Sequence, residues 1–297
     1  MSQKWFVVKS GGRLNLYTHT EKNRTVSIGT KGKINIKRLE GLKHGVEYLL
    51  HDKEITERKK RESPLENTEK KFKTEMAKEK YIKRKRDKTE IPFTVLRPTP
   101  YTICELYRSR GRLFSIETLG QMMRAGNVNS RGRYLVWESV GVVSGAIMFQ
   151  TGGVAETVCV YSGDKEPKCL PLLEENSQCS TRYLSLGRPS RNCLAGEYEE
   201  GYFDTFFVCV SEEEDILFLF SLLPHIRLSG SVVIYSEYRE VLVGIYLRLQ
   251  STFRDIRLTE SSIKRYLHRR GITNPEIETN GCSGYLLSGT KSSLNTE

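Results

Sequence analysis

Tyr134-Leu-Val-Trp-Glu-Ser-Val-Gly-Val-Val-Ser-Gly-Ala-Ile-Met148 reads as a strand, an acidic residue, a turn and then a helix. That order is the layout of a nucleotide- or S-adenosylmethionine-binding turn in a doubly wound α/β fold. A binding turn carries glycines at alternate positions after the acid, because the backbone must come close to the ligand. Counted from Glu138, those positions hold Val140, Val142 and Ser144. Glycine tolerates positive φ and has no Cβ, whereas valine is branched at Cβ. The stretch therefore reads as a cofactor turn whose pocket is obstructed. The same residues also suit an ordinary βα turn that never held a ligand.

Outward from this turn the chain alternates. Strands are expected at 134–138, 155–161, 203–210 and 231–235, with helices at 142–150, 213–223 and 237–250 and later strands near 253–258 and 284–289. A helix is expected over 101–126, with Thr118 to Arg124 close to the first strand. Alternation of this kind implies a Rossmann-like α/β domain, assigned to residues 91–297 and entered through Ile91–Pro98. Segment 164–200 is the least regular part and reads as a loop insertion.

Residues 1–56 differ in character. Lys4–Lys9, Arg13–Tyr17 and Lys33–Lys37 are short apolar-containing runs, punctuated by glycines at 11, 12, 29, 32, 41 and 45. Short strands at regular spacing suggest a small β-barrel-like domain or curled sheet. Between the two domains, residues 57–90 are highly charged and nearly devoid of apolar residues. They read as a linker or arm that cannot bury enough surface to fold alone.

Charge is segregated in the same way. The net charge is +11; residues 1–90 carry 25 Lys+Arg against 13 Asp+Glu, and residues 91–297 carry 22 against 23. The excess thus lies in the first third, which points to a polyanionic partner, nucleic acid before membrane. Lys78–Lys88 holds seven basic residues in eleven. Lys80, Lys83, Arg84, Lys85, Arg86 and Lys88 are candidate phosphate contacts, with Tyr81 available for stacking. Arg108, Arg110 and Arg112 around Gly111 form a second candidate group. A solvated helix face or a nuclear-import tag accounts for the first run equally, and a solvated loop for the second.

Other function classes find little support. No run approaches the roughly 18 apolar residues of a membrane span, and Met1–Phe6 lacks the apolar core of a signal peptide. The seven cysteines are scattered without a C-x-x-C pair, and Cys159 and Cys209 fall inside apolar strand-like runs. That pattern fits buried thiols in a reducing compartment better than disulfides or zinc. The five histidines form no ligand cluster.

Several segments taken in order carry a resemblance. They are Lys73–Arg86, Glu117–Val128, Trp137–Met148 with Thr151-Gly-Gly153, Tyr202–Val210, Val233–Leu242 and Asn280–Gly289. Together they resemble the non-catalytic subunit family of the eukaryotic tRNA adenine(58)-N1-methyltransferase. The resemblance implies a methyltransferase-fold domain that binds no S-adenosylmethionine, and no catalytic residue in this chain. It implies a tRNA-binding role, nuclear location and assembly with a catalytic methyltransferase subunit, which holds the cofactor, in two copies of each. The residues agree. Beyond the altered turn, Val158–Ser162 ends without the acid expected for ribose hydroxyls, and Asp164 follows as a loop charge. Strand 203–210 runs into Ser211-Glu-Glu-Glu-Asp215, a helix-start pattern without the Asp-and-proline signature of the N1-adenine enzymes. An active enzyme with an atypical cofactor turn, and a nucleic-acid-binding protein without a methyltransferase partner, are the competing readings.

Overall fold

The computed structural model describes residues 5–10, 13–18, 25–28, 32–39, 41–51, 54–57, 74–77, 80–81, 84, 91–108, 114–162, 181–186, 194, 197–210, 215–262, 266–269, 271–275 and 284–292. The chain divides into two compact units, residues 1–98 and 99–297.

In the first unit the strands are β1 (Trp5–Ser10), β2 (Arg13–Thr18), β3 (Thr25–Ile28), β4 (Gly32–Asn35), β5 (Glu47–His51), β6 (Glu54–Glu57) and β7 (Ile91–Leu96). Five form an antiparallel sheet in the order β2-β1-β7-β5-β6, and β3 and β4 form a separate hairpin. Period-2 alternation places Val26, Ile28 and Ile34 of the hairpin in one core with Phe6, Val8, Tyr48, Leu50, Phe93 and Val95.

Two expectations change here. The stretch 91–98, read as the entrance to the second domain, supplies β7, which pairs with both β1 and β5. Phe93 and Val95 are the reason, since their alternation buries them in the first core. The strand expected at Lys33–Lys37 stops at Asn35. The Asn35 side chain accepts a bond from the Lys37 amide at 3.0 Å, and Ile36–Arg38 turn into a 3₁₀ helix. Within the linker, Glu75–Ala77, Lys80, Tyr81 and Arg84 are helical. The Thr74 hydroxyl caps that start by accepting from the Ala77 amide at 3.2 Å.

The second unit contains α1 (Pro100–Arg108), α2 (Ile116–Ala125), β8 (Arg133–Trp137), α3 (Val142–Thr151), β9 (Glu156–Ser162), β10 (Thr181–Leu186), β11 (Phe203–Val210), α4 (Asp215–Leu222), β12 (Ile226–Ser236), α5 (Arg239–Leu249), β13 (Phe253–Glu260), β14 (Tyr266–Arg269), β15 (Ile272–Pro275) and β16 (Tyr285–Lys291). Seven strands form one sheet in the order β10-β9-β8-β11-β12-β16-β13. The first five are parallel, and β16 runs antiparallel to both neighbours. Strand order reverses between β8 and β11, the switch point at which doubly wound folds hold their ligands.

Alternate residues of the parallel strands face opposite helix layers. Leu135, Trp137, Val158, Val160, Phe206, Val208, Val232 and Ile234 share a core with Phe218 and Leu219 of α4 and Leu242 and Ile245 of α5. On the other side, α1 and α2 pack against α3. Covered by sheet and helices alike, α3 is apolar all round and buries every residue from Val142 to Met148. It ends where Gly152 and Gly153 take φ of +64° and +78°, with the Gly152 amide donating to Met148 O.

The helix expected over 101–126 is two helices. Ser115 is extended and caps α2, its hydroxyl accepting from the Thr118 amide at 3.2 Å. The segment read as an irregular insertion contributes β10, an edge strand parallel to β9. An edge strand needs only one hydrogen-bonded neighbour, so its sequence lacks the long apolar run of the central strands.

Candidate functional site

The turn between β8 and α3 lies at the C-terminal end of the sheet beside the switch point. Gly141 has φ +89° and precedes the first residue of α3. The glycine of this turn is thus kept for backbone conformation rather than for helix–sheet packing alone. Val142, Val143 and Ser144 follow it fully buried. Val140 is half-buried.

Glu138 caps this helix from the strand end. One carboxylate oxygen accepts from the Val143 amide at 2.9 Å and the other from the Ser144 amide at 2.7 Å. The side chain is 4% exposed. Burial raises its pKa above the ordinary carboxyl value, against the pull of the Ser144 and Val143 amides. Two of the amides with which a helix N-terminus binds an anion therefore already serve a carboxylate of the chain itself.

Around Glu138 the strand ends are covered by protein. Burial first, and the Glu138 charge second, push the Cys159 thiol of β9 and the Cys209 thiol of β11 upward. Cys104 of α1 is fully buried and its thiol donates to Phe114 O at 3.2 Å. The Phe114 ring meets Tyr235, near the end of β12, edge-on at 4.9 Å. Phe114 and Tyr235 are both buried. Sequence reading identified the turn but missed this cover, because Cys104, Phe114 and Tyr235 come from distant segments without a shared motif. Among the described residues, no group of three or more His, Cys, Asp or Glu side chains is arranged to hold a metal ion. No described helix is long and apolar enough to cross a membrane.

The candidate RNA contacts divide. Lys80 and Arg84 are both helical and exposed. Tyr81 beside them is half-buried. Lys83, Lys85, Arg86 and Lys88 lie outside the described residues, as do Arg110, Arg112 and Asp164. Arg108 sits in the last turn of α1, 3.7 Å from the Glu105 carboxylate, and is partly buried. Its guanidinium is thus engaged within its own helix.

Residues 65–185 match the Gcd10p family. That match contains the described helical residues of the linker, α1 to α3 and the turn after Glu138. A curated mouse (Mus musculus) relative, the tRNA (adenine(58)-N(1))-methyltransferase non-catalytic subunit TRM6, is 32% identical over 169 residues. The alignment takes in 54% of this chain and 34% of TRM6, so the chain spans about a third of the length of that relative. Over these segments the resemblance read from the sequence is borne out.

Solved structures agree on the fold. An S-adenosylmethionine-dependent O-methyltransferase from Thermotoga maritima superposes with a TM-score of 0.64 at 12% identity, over 100% of this chain and 96% of that one. The tRNA (m1A58) methyltransferase TrmI from Aquifex aeolicus gives 0.61 at 15% identity, over 99% and 98%. At such identities the likeness is one of fold: the chain has a methyltransferase-type, Rossmann-like architecture.

Proposed function

We propose that this chain is a non-catalytic subunit of a tRNA adenine(58)-N1-methyltransferase, binding tRNA and holding a catalytic subunit in place. The observation that carries the reading is the closed switch point. Glu138 accepts from the Val143 and Ser144 amides at the start of α3, Val142 and Ser144 are fully buried, and Phe114 packs edge-on against Tyr235 near the end of β12, the strand beside β11. These residues do not suit an S-adenosylmethionine site, whose turn needs small residues and open amides. The likeness to TRM6 over half of the chain supports the same reading.

On this proposal the cofactor belongs to a catalytic partner of the same fold, with two copies of each subunit in the assembly. Location is nuclear, in keeping with the basic run at 78–88. The first unit is a small β-barrel-like domain built from the sheet and the hairpin that share its core. Residues 57–90 are the arm that follows the RNA backbone, with Lys80 and Arg84 exposed on it.

The deciding experiment is methyl transfer to a tRNA with this chain alone, with the catalytic partner alone and with both. Activity only in the mixture is expected. Activity from this chain alone, or S-adenosylmethionine binding by it, would replace the proposal with an active enzyme using an atypical turn. The arm gives a second test. Phosphate contacts contribute affinity through counterion release, at about 0.9 in log–log salt slope per contact. Neutralising Lys80, Lys83, Arg84 and Lys85 together is expected to weaken tRNA binding and to flatten that slope by about 3–4. An unchanged slope removes the arm from the interface.

A further inference from the structure

An exposed aromatic pair lies at the far end of α3 from Glu138. Phe149, in the last turn of α3, is 54% exposed, and Tyr101, in the first turn of α1, is 36% exposed. Their rings meet at 6.0 Å and 88°, edge to face. Val154, just beyond the helix end, is 74% exposed. Aromatic side chains of this size are ordinarily drawn into a core, so two left in water side by side call for an occupant.

The surroundings indicate its chemistry. The Gln150 side-chain amide donates to Val128 O at 3.3 Å, and the Glu156 amide donates to Gly132 O at 3.2 Å. These bonds hold the loop 127–132 alongside residues 150–156. Asn127, Asn129, Ser130 and Arg131 of that loop are exposed, as is Arg124 at the end of α2. Two acids on these elements are engaged. The Glu156 carboxylate accepts from the Tyr202 hydroxyl at 2.7 Å, and Glu105, one turn along α1 from Tyr101, pairs with Arg108. Three apolar side chains fall well short of the roughly 800 Å² per partner of a stable protein interface. Exposed rings among guanidinium groups and amides are instead the elements of a single-strand stacking site.

We propose that Phe149, braced by Tyr101, stacks an unpaired base of the bound RNA, with Arg131 and Arg124 reaching the flanking phosphates. The proposal rests on the tRNA-binding reading and adds to it a contact about 10 Å from the start of α3, at 1.5 Å per residue along the helix. It makes the helix layer of the second unit, and not only the basic arm, part of the RNA surface.

The test uses the full chain, alone and with its catalytic partner, titrated with a tRNA. Phe149→Ala is expected to weaken binding about tenfold, the scale of one base–aromatic stack, while leaving the salt slope unchanged because no charge is removed. Phe149→Trp is expected to retain affinity, with its indole fluorescence quenched as RNA is added. Unchanged tRNA affinity in Phe149→Ala, together with an unquenched Phe149→Trp, overturns the stacking site and leaves the tRNA-binding reading standing. Loss of the catalytic partner with tRNA affinity unchanged overturns it in favour of a protein contact. Failure of the wild-type chain to bind tRNA overturns both readings.

Discussion

Glu138→Ala is expected to lower the stability of the second unit by about 3 kcal/mol, as two buried amides lose their acceptor at roughly 1–3 kcal/mol each. The Val143 and Ser144 amides lie in the first turn of a helix whose residues are buried from Val142 to Met148, so water does not replace the lost carboxylate. For a unit of this size the loss corresponds to a fall in melting temperature of about 6–12 °C. Thermal unfolding followed by circular dichroism measures it. A fall below about 2 °C would show that the start of α3 finds other acceptors, and would weaken the case for a turn closed by Glu138.

The same carboxyl gives a pH dependence of defined sign. Burial raises its folded pKa above the unfolded value, so folding takes up a proton at this site. Its contribution to stability is complete below the unfolded value of about 4.3. It declines as pH rises through the folded value. The stability difference between the wild type and Glu138→Gln, which does not titrate, is therefore expected to shift against the wild type as pH rises above that point. A difference that moves the other way would mean that the amides outweigh burial.

Lys291→Met is expected to cost about 3 kcal/mol: three charged hydrogen bonds at roughly 1.5–3 kcal/mol each are lost together, and relief from burying the ammonium offsets part of that loss. The Lys291 ammonium, near the end of β16, donates to the carbonyls of Leu223 at 3.1 Å, Pro224 at 3.3 Å and Ile226 at 2.8 Å. These carbonyls close the turn between α4 and β12, where the orphan acceptors of a helix end require donors. Methionine keeps much of the side-chain volume and removes only the donors. Chemical denaturation of the wild type and the variant gives the difference. A loss under 1 kcal/mol would show that water reaches these carbonyls once the ammonium is gone.

Much of the second unit was legible in the chain. The apolar runs at 134–138, 155–161, 203–210 and 231–235 appear as central parallel strands, because a strand buried on both faces must be apolar throughout. Phe93 and Val95 mark the limit of such reading. Their alternation announced a strand, but no residue in it names the sheet it joins, and β7 went to the first unit. Thr181–Leu186 was hidden for a related reason: its partner, β9, is apolar for its own sake and carries no sign of the neighbour.

At the candidate site the division is similar. Val140, Val142 and Ser144 in place of glycines were visible in the sequence and gave the altered turn directly, because a missing glycine is a local fact about φ and Cβ. The role of Glu138 needed the tertiary structure, since both its oxygens are aimed by the angle at which β8 hands over to α3. So did the cover from Cys104, Phe114 and Tyr235, and the exposure of Tyr101 and Phe149. By itself the sequence determined the alternation of elements, the altered turn and the segregation of charge, all of which arise from residues near one another in the chain. Only the tertiary structure decided which strands pair, what caps the turn after β8 and which aromatic rings remain in water. Those outcomes depend on contacts between segments tens to hundreds of residues apart, where hydrophobic burial is non-directional and backbone pairing reads no side-chain code.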